Sequence, residues 1–293
     1  MKSITGRRSP STSWIHLVLM SSLLPMIVGG TVAASITGTP KTLPHRRVAT
    51  SAVPFPPYVL QAMRVVAKTT RVPVLGPLWL PDTKAASSRL MPPGGTFAAT
   101  VKASPTSYQM NFWVEAHAFP VNSPKVVQDS GDPGVTPIVT ISGRRYTTKT
   151  AAAHAVMHNT GIAWAPIPNT AKRVPITAKI SGWIWRHKVT GNMNHSYQVM
   201  YVAWHERGWL IETVPIIPPN TNLSTVAMGT AQSLISKVMA PMPGQTGTIA
   251  IAMGDGMHTT TMWQRGRIVY SVFANYGLSS ATTVVSSLYP MPR

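Results

Sequence analysis

The chain has 293 residues, 44% apolar and only 11% charged, with 26 Lys and Arg against 7 Asp and Glu and a formal charge of +19. The absence of cysteine excludes disulfides, thiolate metal sites and cysteine nucleophiles together. Charge is sparse against the roughly 25% of an average soluble protein. Outside the N-terminus, however, Pro, Ser and Thr interrupt every apolar run before the roughly 18 residues that cross a bilayer, so a multi-span membrane protein is excluded.

Residues 1–34 have the three parts of a cleavable secretory signal peptide. Lys2, Arg7 and Arg8 form a positive start, Ile15 to Val28 an apolar stretch, and Gly29 to Ala34 a run of small residues where a peptidase could cut. Arg7-Arg8 is followed by Ser9, Pro10 and Ser11, which do not suit a twin-arginine signal. The expected location is therefore extracellular or at the cell surface, in a bacterial or archaeal setting. Removing the three basic residues of this segment from 26 leaves 23 against the same 7 acids.

Residues 35–57, rich in Thr, Pro, Ser and Ala and ending in Pro54-Phe55-Pro56-Pro57, read as a linker. Tyr58 to Lys68 is expected to be a short helix with Val59, Met63 and Val66 on one face, and Val72 to Pro81 an edge or wrapping segment. Tyr108, Met110, Phe112 and Val114 alternate with Gln109, Asn111, Trp113 and Glu115, the period-two pattern of a half-buried strand. Residues 120–137 read as loop, Val135 to Ser142 as strand, and Thr147 to His158 as helix, since Ala151 to Ala153 favour one and nothing breaks it.

The C-terminal half contains a near-repeat. Trp204-His205-Glu206-Arg207-Gly208-Trp209-Leu210-Ile211 and Trp263-Gln264-Arg265-Gly266-Arg267-Ile268-Val269 each read as a strand, a tight turn holding Gly, and an apolar return strand. Amphipathic helices are expected after both. The first carries Leu223, Val226, Ala227, Thr230, Ala231, Leu234, Ile235 and Val238 on one face with Asn222 as N-cap. The second carries Leu278, Ala281, Val285 and Leu288, with Pro290 closing it. The expected fold is α+β: antiparallel β-sheet hairpins backed by helices, with a pseudo-duplicated C-terminal half. Residues 58–170 form a β-rich N-terminal part and 171–293 the part with two hairpin-plus-helix repeats, in two domains or together in one.

Over residues 174–290 this order, a meander, then Trp, turn Gly, return strand and a helix ending in Ser-Leu (Ser233-Leu234, Ser287-Leu288), resembles an exported Gram-positive domain of unknown function. That domain is found on anti-sigma factors and sporulation-type envelope proteins, and at greater distance is similar to the PsbP-type α/β/α sandwich. The first copy departs from the pattern at Pro215, Pro218 and Pro219. The resemblance implies an exported, non-enzymatic sensing or binding role and transfers no functional residue.

Catalytic chemistry has little to stand on. His154 and His158 sit at i and i+4 of an expected helix, the spacing at which two imidazoles reach one metal. The zinc-peptidase motif would need Glu at position 155, where Ala155 stands, and the spacing singles out none of His117, His187, His195, His205 or His258 as third ligand. There is no Gly-x-Ser-x-Gly elbow and no Ser-x-x-Lys. Asp132 and Asp255 fit turns, and no phosphate-binding glycine loop or other cofactor motif exists. Glu206 and Glu212, on one expected hairpin, read as solubility residues or partners of Arg207. An exported hydrolase assembled from distant residues, metal-assisted through His154 and His158, is the alternative to a binding protein.

The basic residues are grouped as His45-Arg46-Arg47, Arg144-Arg145, Lys172-Arg173, Arg186-His187-Lys188 and Arg265/Arg267. Arg144, Arg145, Arg186 and Lys188, with Trp183 and Trp185 beside the latter pair, form the candidate anion-binding set. The partner expected from charge is an anionic cell-wall polymer or membrane surface, and export argues against nucleic acid. Scarcity of carboxylates carries a second expectation. Native carboxylates whose pKa values are depressed stabilise a fold above the unfolded pKa and lose that contribution as pH falls. A fold with seven has little to lose, which suits an acidic medium.

Overall fold

The computed structural model describes residues 55–81, 95–129, 137–158, 166–190, 196–206, 208–215, 222–238, 247–253, 257–275 and 278–292. Residues 1–54, which hold the expected signal peptide and most of the expected linker, lie outside these residues. The elements, in chain order, are α1 (Pro57–Ala67), β1 (Leu75–Pro77), β2 (Thr96–Ser104), β3 (Ser107–Glu115), α2 (Pro124–Asp129), β4 (Val139–Arg145) and α3 (Lys149–Met157). They continue with β5 (Lys172–Pro175), β6 (Ser181–Thr190), β7 (Ser196–Glu206), β8 (Trp209–Pro215), α4 (Leu223–Val238), β9 (Gly247–Met253), β10 (Met257–Arg265), β11 (Ile268–Ala274), α5 (Leu278–Ser286) and β12 (Leu288–Pro290).

The fold is α+β. Ten strands form one sheet in the order β2-β3-β4-β11-β10-β9-β8-β7-β6-β5, and β1 pairs with β12 in a separate two-stranded sheet. Strands from before and after residue 170 join through β4 and β11. All neighbours in the large sheet are antiparallel except β8 and β9. Parallel neighbours need a long crossover, and α4 supplies it. Both near-repeat segments are hairpins, β7–β8 and β10–β11, each followed by a helix. Their turn glycines, Gly208 and Gly266, have φ of 85° and 65°, the left-handed region that a tight hairpin turn requires. The shared order of elements is what the two segments have in common.

Strand alternation gives the sheet two different faces. One carries Tyr108, Met110 and Phe112, Val139 and Ile141, Tyr270 and Val272, Trp263, Ile249 and Ile251, Ile211, Val202 and Trp204, all buried. Helices α1, α4 and α5 cover it. Pro57 starts α1 at a position where a missing N–H costs nothing, and Val59, Ala62, Met63 and Val66 face inward. Tyr58 of α1 stacks on Phe97 with ring centroids 5.1 Å apart and meets Phe112 edge-on. Asn222 accepts from the backbone N–H groups of Ser224 and Thr225 and so caps α4. Ala227, Ala231 and Leu234 of that helix are buried.

One register row on this face runs Trp209, Gly247, Trp263, Tyr270, Gly143 and Tyr108 across six strands. Aromatic rings occupy the room that the two glycines leave. A Cβ at Gly143 would lie 2.6 Å from Tyr108 Cε1, and Trp263 stacks on Tyr270 at 5.6 Å.

The opposite face is covered piecewise. Val126 of α2 packs on Ala98 and Trp113, and Ala152 and Val156 of α3 pack on Val269 and Met262. Ile167 and Ala171 lie against a cluster of Trp185, Val199, Tyr201, Ala203, Leu210, Val214 and Ala250. Every residue from Trp209 to Val214 in β8 is buried, as in a strand covered on both sides. Glu212 lies within this run, fully buried between its register partners Ala203 and Ala250. It is therefore not a solubility residue.

Three other expectations change. The linker ends earlier than position 57, since Phe55 is buried and α1 begins at Pro57. The loop expected over 120–137 contains α2. Leu288 and Pro290 belong to β12 rather than to the last helix, because the chain leaves α5 to pair Leu288 with Pro77 and Pro290 with Leu75.

The middle of the β2 edge is capped by one residue. Asn122, at φ 60°, donates its N–H to Ala99 O (2.9 Å), accepts from Val101 N–H at Oδ1 (2.6 Å) and donates from Nδ2 to Val101 O (3.2 Å).

Burial raises the pKa of both Tyr108 and Tyr270 above the ordinary phenol value. Tyr108 accepts from Leu75 N–H at 3.0 Å, and Tyr270 donates to Pro73 O at 3.2 Å. A raised acid is stabilised in its protonated form, so this contribution is complete below the unfolded value near 10 and is lost as pH rises beyond it. Melting temperature is thus expected to fall steeply between pH 10 and 11. Tyr108→Phe should be less stable at pH 8, by about 1–3 kcal/mol for the orphaned Leu75 N–H, yet fall less over that window. Parallel curves for the two proteins would remove Tyr108 as the source.

Candidate anion-binding surface

The basic residues that come together do so at one end of the sheet. The register places Arg144 opposite Ser107 and Arg145 opposite Ile268, so the end of β4 lies between the β2–β3 turn and the β10–β11 turn. Tyr146 N–H donates to Arg267 O at 2.7 Å and Arg145 N–H to Thr106 O at 2.8 Å. Arg71 N–H donates to Pro105 O at 3.0 Å, and Arg145 Nη2 donates to Arg71 O at 3.1 Å. The chain then enters α3, where Thr148 caps the helix by accepting from Ala151 N–H at 3.0 Å. Gln264 Nε2 holds Lys149 by its carbonyl at 2.8 Å.

Arg71, Arg144, Arg145, Lys149, Arg265 and Arg267 therefore share this end. All but the half-buried Arg145 are exposed. Their contacts are to carbonyls and rings. Arg267 Nη1 donates to Thr147 O at 3.4 Å, and the Arg144 guanidinium lies 5.3 Å from the Tyr146 ring centroid. The positive field of Arg265 and Arg145 reaches Tyr270, where it opposes the upward shift caused by burial. Glu206, the last residue of β7 at the same sheet end, accepts a bond from Trp204 Nε1 at 3.4 Å. Six like charges brought together on two strand ends, a hairpin turn, a helix start and the α1–β1 connection repel one another, and a polyanion relieves that repulsion.

The remaining candidates lie elsewhere. Arg186 is on β6, six strands from β4, roughly 30 Å away at the usual strand spacing, so it and Arg144 do not form one patch. Trp183 and Trp185 alternate with Arg186 along β6 and occupy the opposite face. Trp185 is 6% exposed and stacks on Tyr201 with centroids 5.2 Å apart, which makes it core. Trp183 is half-buried and meets His205 edge-on at 5.6 Å. Lys188 is described only through its backbone pairing with Gln198.

His154 and His158 do come together on α3, ring centroids 3.9 Å apart, and both are exposed. Among the described residues no third His, Cys, Asp or Glu joins them to make a metal-holding group. His205 and His187 lie against Trp183 and Tyr201 respectively, and His258 stacks on Phe273. His195 lies outside the described residues.

Arg71 and Lys149 are the members of the cationic end that sequence grouping misses. They are 74 and 4 residues from Arg145, and only the pairing register brings the two separations to the same place. Comparison with protein-family models, with curated proteins and with solved structures gives no match to this chain.

Proposed function

We propose that the protein is a secreted or envelope-associated binding protein without catalytic activity, which engages an anionic polymer such as a cell-wall polymer through its cationic sheet end. The observation that carries this reading is the convergence of Arg71, Arg144, Arg145, Lys149, Arg265 and Arg267. The signal-peptide pattern of residues 1–34 and the resemblance to exported envelope domains support the same class of role.

Retention on isolated cell walls and on inorganic polyphosphate is expected at low salt and is expected to disappear near 1 M salt, where screening shortens to about 3 Å. Each basic residue near an anionic surface contributes about 1 kcal/mol. Arg144→Ser combined with Arg267→Ser should therefore weaken polyphosphate binding about thirtyfold. Arg186→Ser, far from the cluster, should leave it within about twofold. Failure to bind at low salt, or equal losses in the two variants, rejects the reading.

The same reading includes residence in an acidic medium. With seven carboxylates in the chain, the melting temperature is expected to move by only a few degrees between pH 7 and 3. Collapse between pH 5 and 3 would reject that part alone.

A further inference from the structure

On the face opposite α1, between the patch covered by α2 and the patch covered by α3, the sheet presents a strip of polar side chains, uncharged but for Lys102, with Phe273 at one end. Two register rows define it. One is Lys102, Gln109, Ser142 and Ser271, and the other Thr100, Asn111, Thr140 and Phe273. Gln109 is exposed and its polar neighbours are partly exposed, although Val101, Met110, Ile141 and Val272 on the other face of the same strands are buried.

These side chains hold one another in place. Asn111 accepts at Oδ1 from Gln109 Nε2 (2.8 Å) and from Thr140 Oγ1 (3.0 Å), and donates from Nδ2 to Thr100 Oγ1 (3.3 Å). Ser142 and Ser271 share a bond at 2.7 Å. Phe273, at the end of the second row, is half-buried and stacks nearly parallel on His258. Lys102 stands at one end of the first row, and Arg144 follows two residues after Ser142 on the same face of β4. The strip thus runs directly into the cationic end.

Oriented hydroxyls and amides beside an aromatic ring suit a ligand that is itself rich in hydroxyls with apolar ring faces. Rotamers locked by these bonds reduce the entropy that binding must overcome. A bare phosphate chain has no ring face to set against Phe273 and no hydroxyl to donate to the amide and hydroxyl acceptors. We infer that the strip holds the sugar rings of an anionic glycan, while Lys102, Arg144, Lys149 and Arg267 meet its charged substituents. This rests on the proposed polyanion binding and names the class of polymer. Four strands at about 4.8 Å spacing give a track about 14 Å wide, enough for a short run of rings.

The test compares titrations of the protein with sulfated dextran, unsulfated dextran and inorganic polyphosphate. Gln109→Ala and Thr140→Val are each expected to weaken sulfated dextran binding about fivefold to tenfold while leaving polyphosphate binding unchanged. Arg144→Ser with Arg267→Ser should weaken both. Unsulfated dextran should bind at least a hundredfold more weakly than the sulfated polymer, and that residual binding should also fall in Gln109→Ala. Gln109 is exposed, so its variant decides the matter even where Thr140→Val fails to fold. Unchanged sulfated dextran affinity in Gln109→Ala overturns the glycan track and leaves the cationic reading standing. Polyphosphate binding insensitive to the arginine pair overturns the cationic reading instead.

Discussion

Replacing Trp204 by alanine is expected to destabilise the protein by about 3–5 kcal/mol. Its side chain is the largest of those fully buried, set in β7 between register partners Gly182 and Ile211. Removal of the indole loses the transfer free energy of the ring and leaves a cavity that a ten-stranded sheet under packed helices cannot close. The net stability of a domain is about 5–15 kcal/mol, so this loss brings the fold close to failure. Urea unfolding followed by far-UV circular dichroism measures it independently of the lost fluorophore. A loss below 1 kcal/mol would mean that the indole is not where the core depends on it. Trp204→Phe, which keeps an aromatic ring, should cost appreciably less.

The second large effect is expected at Gly247. It sits between Trp209 and Trp263 in the aromatic row, and an added Cβ would lie 2.1 Å from Met262 O and 2.8 Å from Trp209 Cζ3. A carbonyl belonging to a sheet strand cannot move aside without breaking its ladder. Gly247→Ala should therefore cost about 3 kcal/mol, the upper end of the usual range for overpacking. Gly229→Ala provides the opposite sign. It is an exposed position inside α4 with nothing within 4 Å of the added Cβ, so helix propensity alone acts and stability should rise by about 0.5–1 kcal/mol. Thermal melts of both variants beside the parent protein check the pair. A Gly247→Ala protein as stable as the parent would show that β9 and β10 are not packed as closely as described.

These two sites also show what the sequence made legible. Trp204 and Trp263 could be recognised as core residues because each ends an alternating strand just before a turn with Gly, and the positive φ of Gly208 and Gly266 follows from the turn length. The closeness of Gly247 to Met262 could not be read, since it depends on which strands become neighbours. The same limit applies to the candidate surface. Arg144 and Arg145 stood out as a pair, but their company is chosen by register, which brings Arg71 and Arg267 to them and leaves Arg186 six strands away. The sequence sets Trp185 beside Arg186, yet adjacency in a strand means opposite faces. Helix α2 leaves no periodic trace in the sequence because six residues between Pro and Gly signals are too few to display one. Leu288 continued the apparent stripe of α5, and only its pairing with Pro77 shows that the helix has ended.

Asn122 has a bearing on the protein as one molecule among many copies. An open sheet can be extended by any chain that supplies a complementary row of peptide groups, and that is how ordered aggregates grow. At β2 one amide side chain in a left-handed turn already occupies those peptide groups, so a newcomer finds no vacancy beside Ala99 and Val101. At the other rim, β5 is four residues long, carries Lys172 and Arg173, and closes with Pro175, which has no N–H to offer. The part of β6 beyond Ile184 extends past β5 and has no partner in it. The backbone of the large sheet is thereby withheld from a neighbour at Ala99 and Val101 on one rim and along β5 on the other.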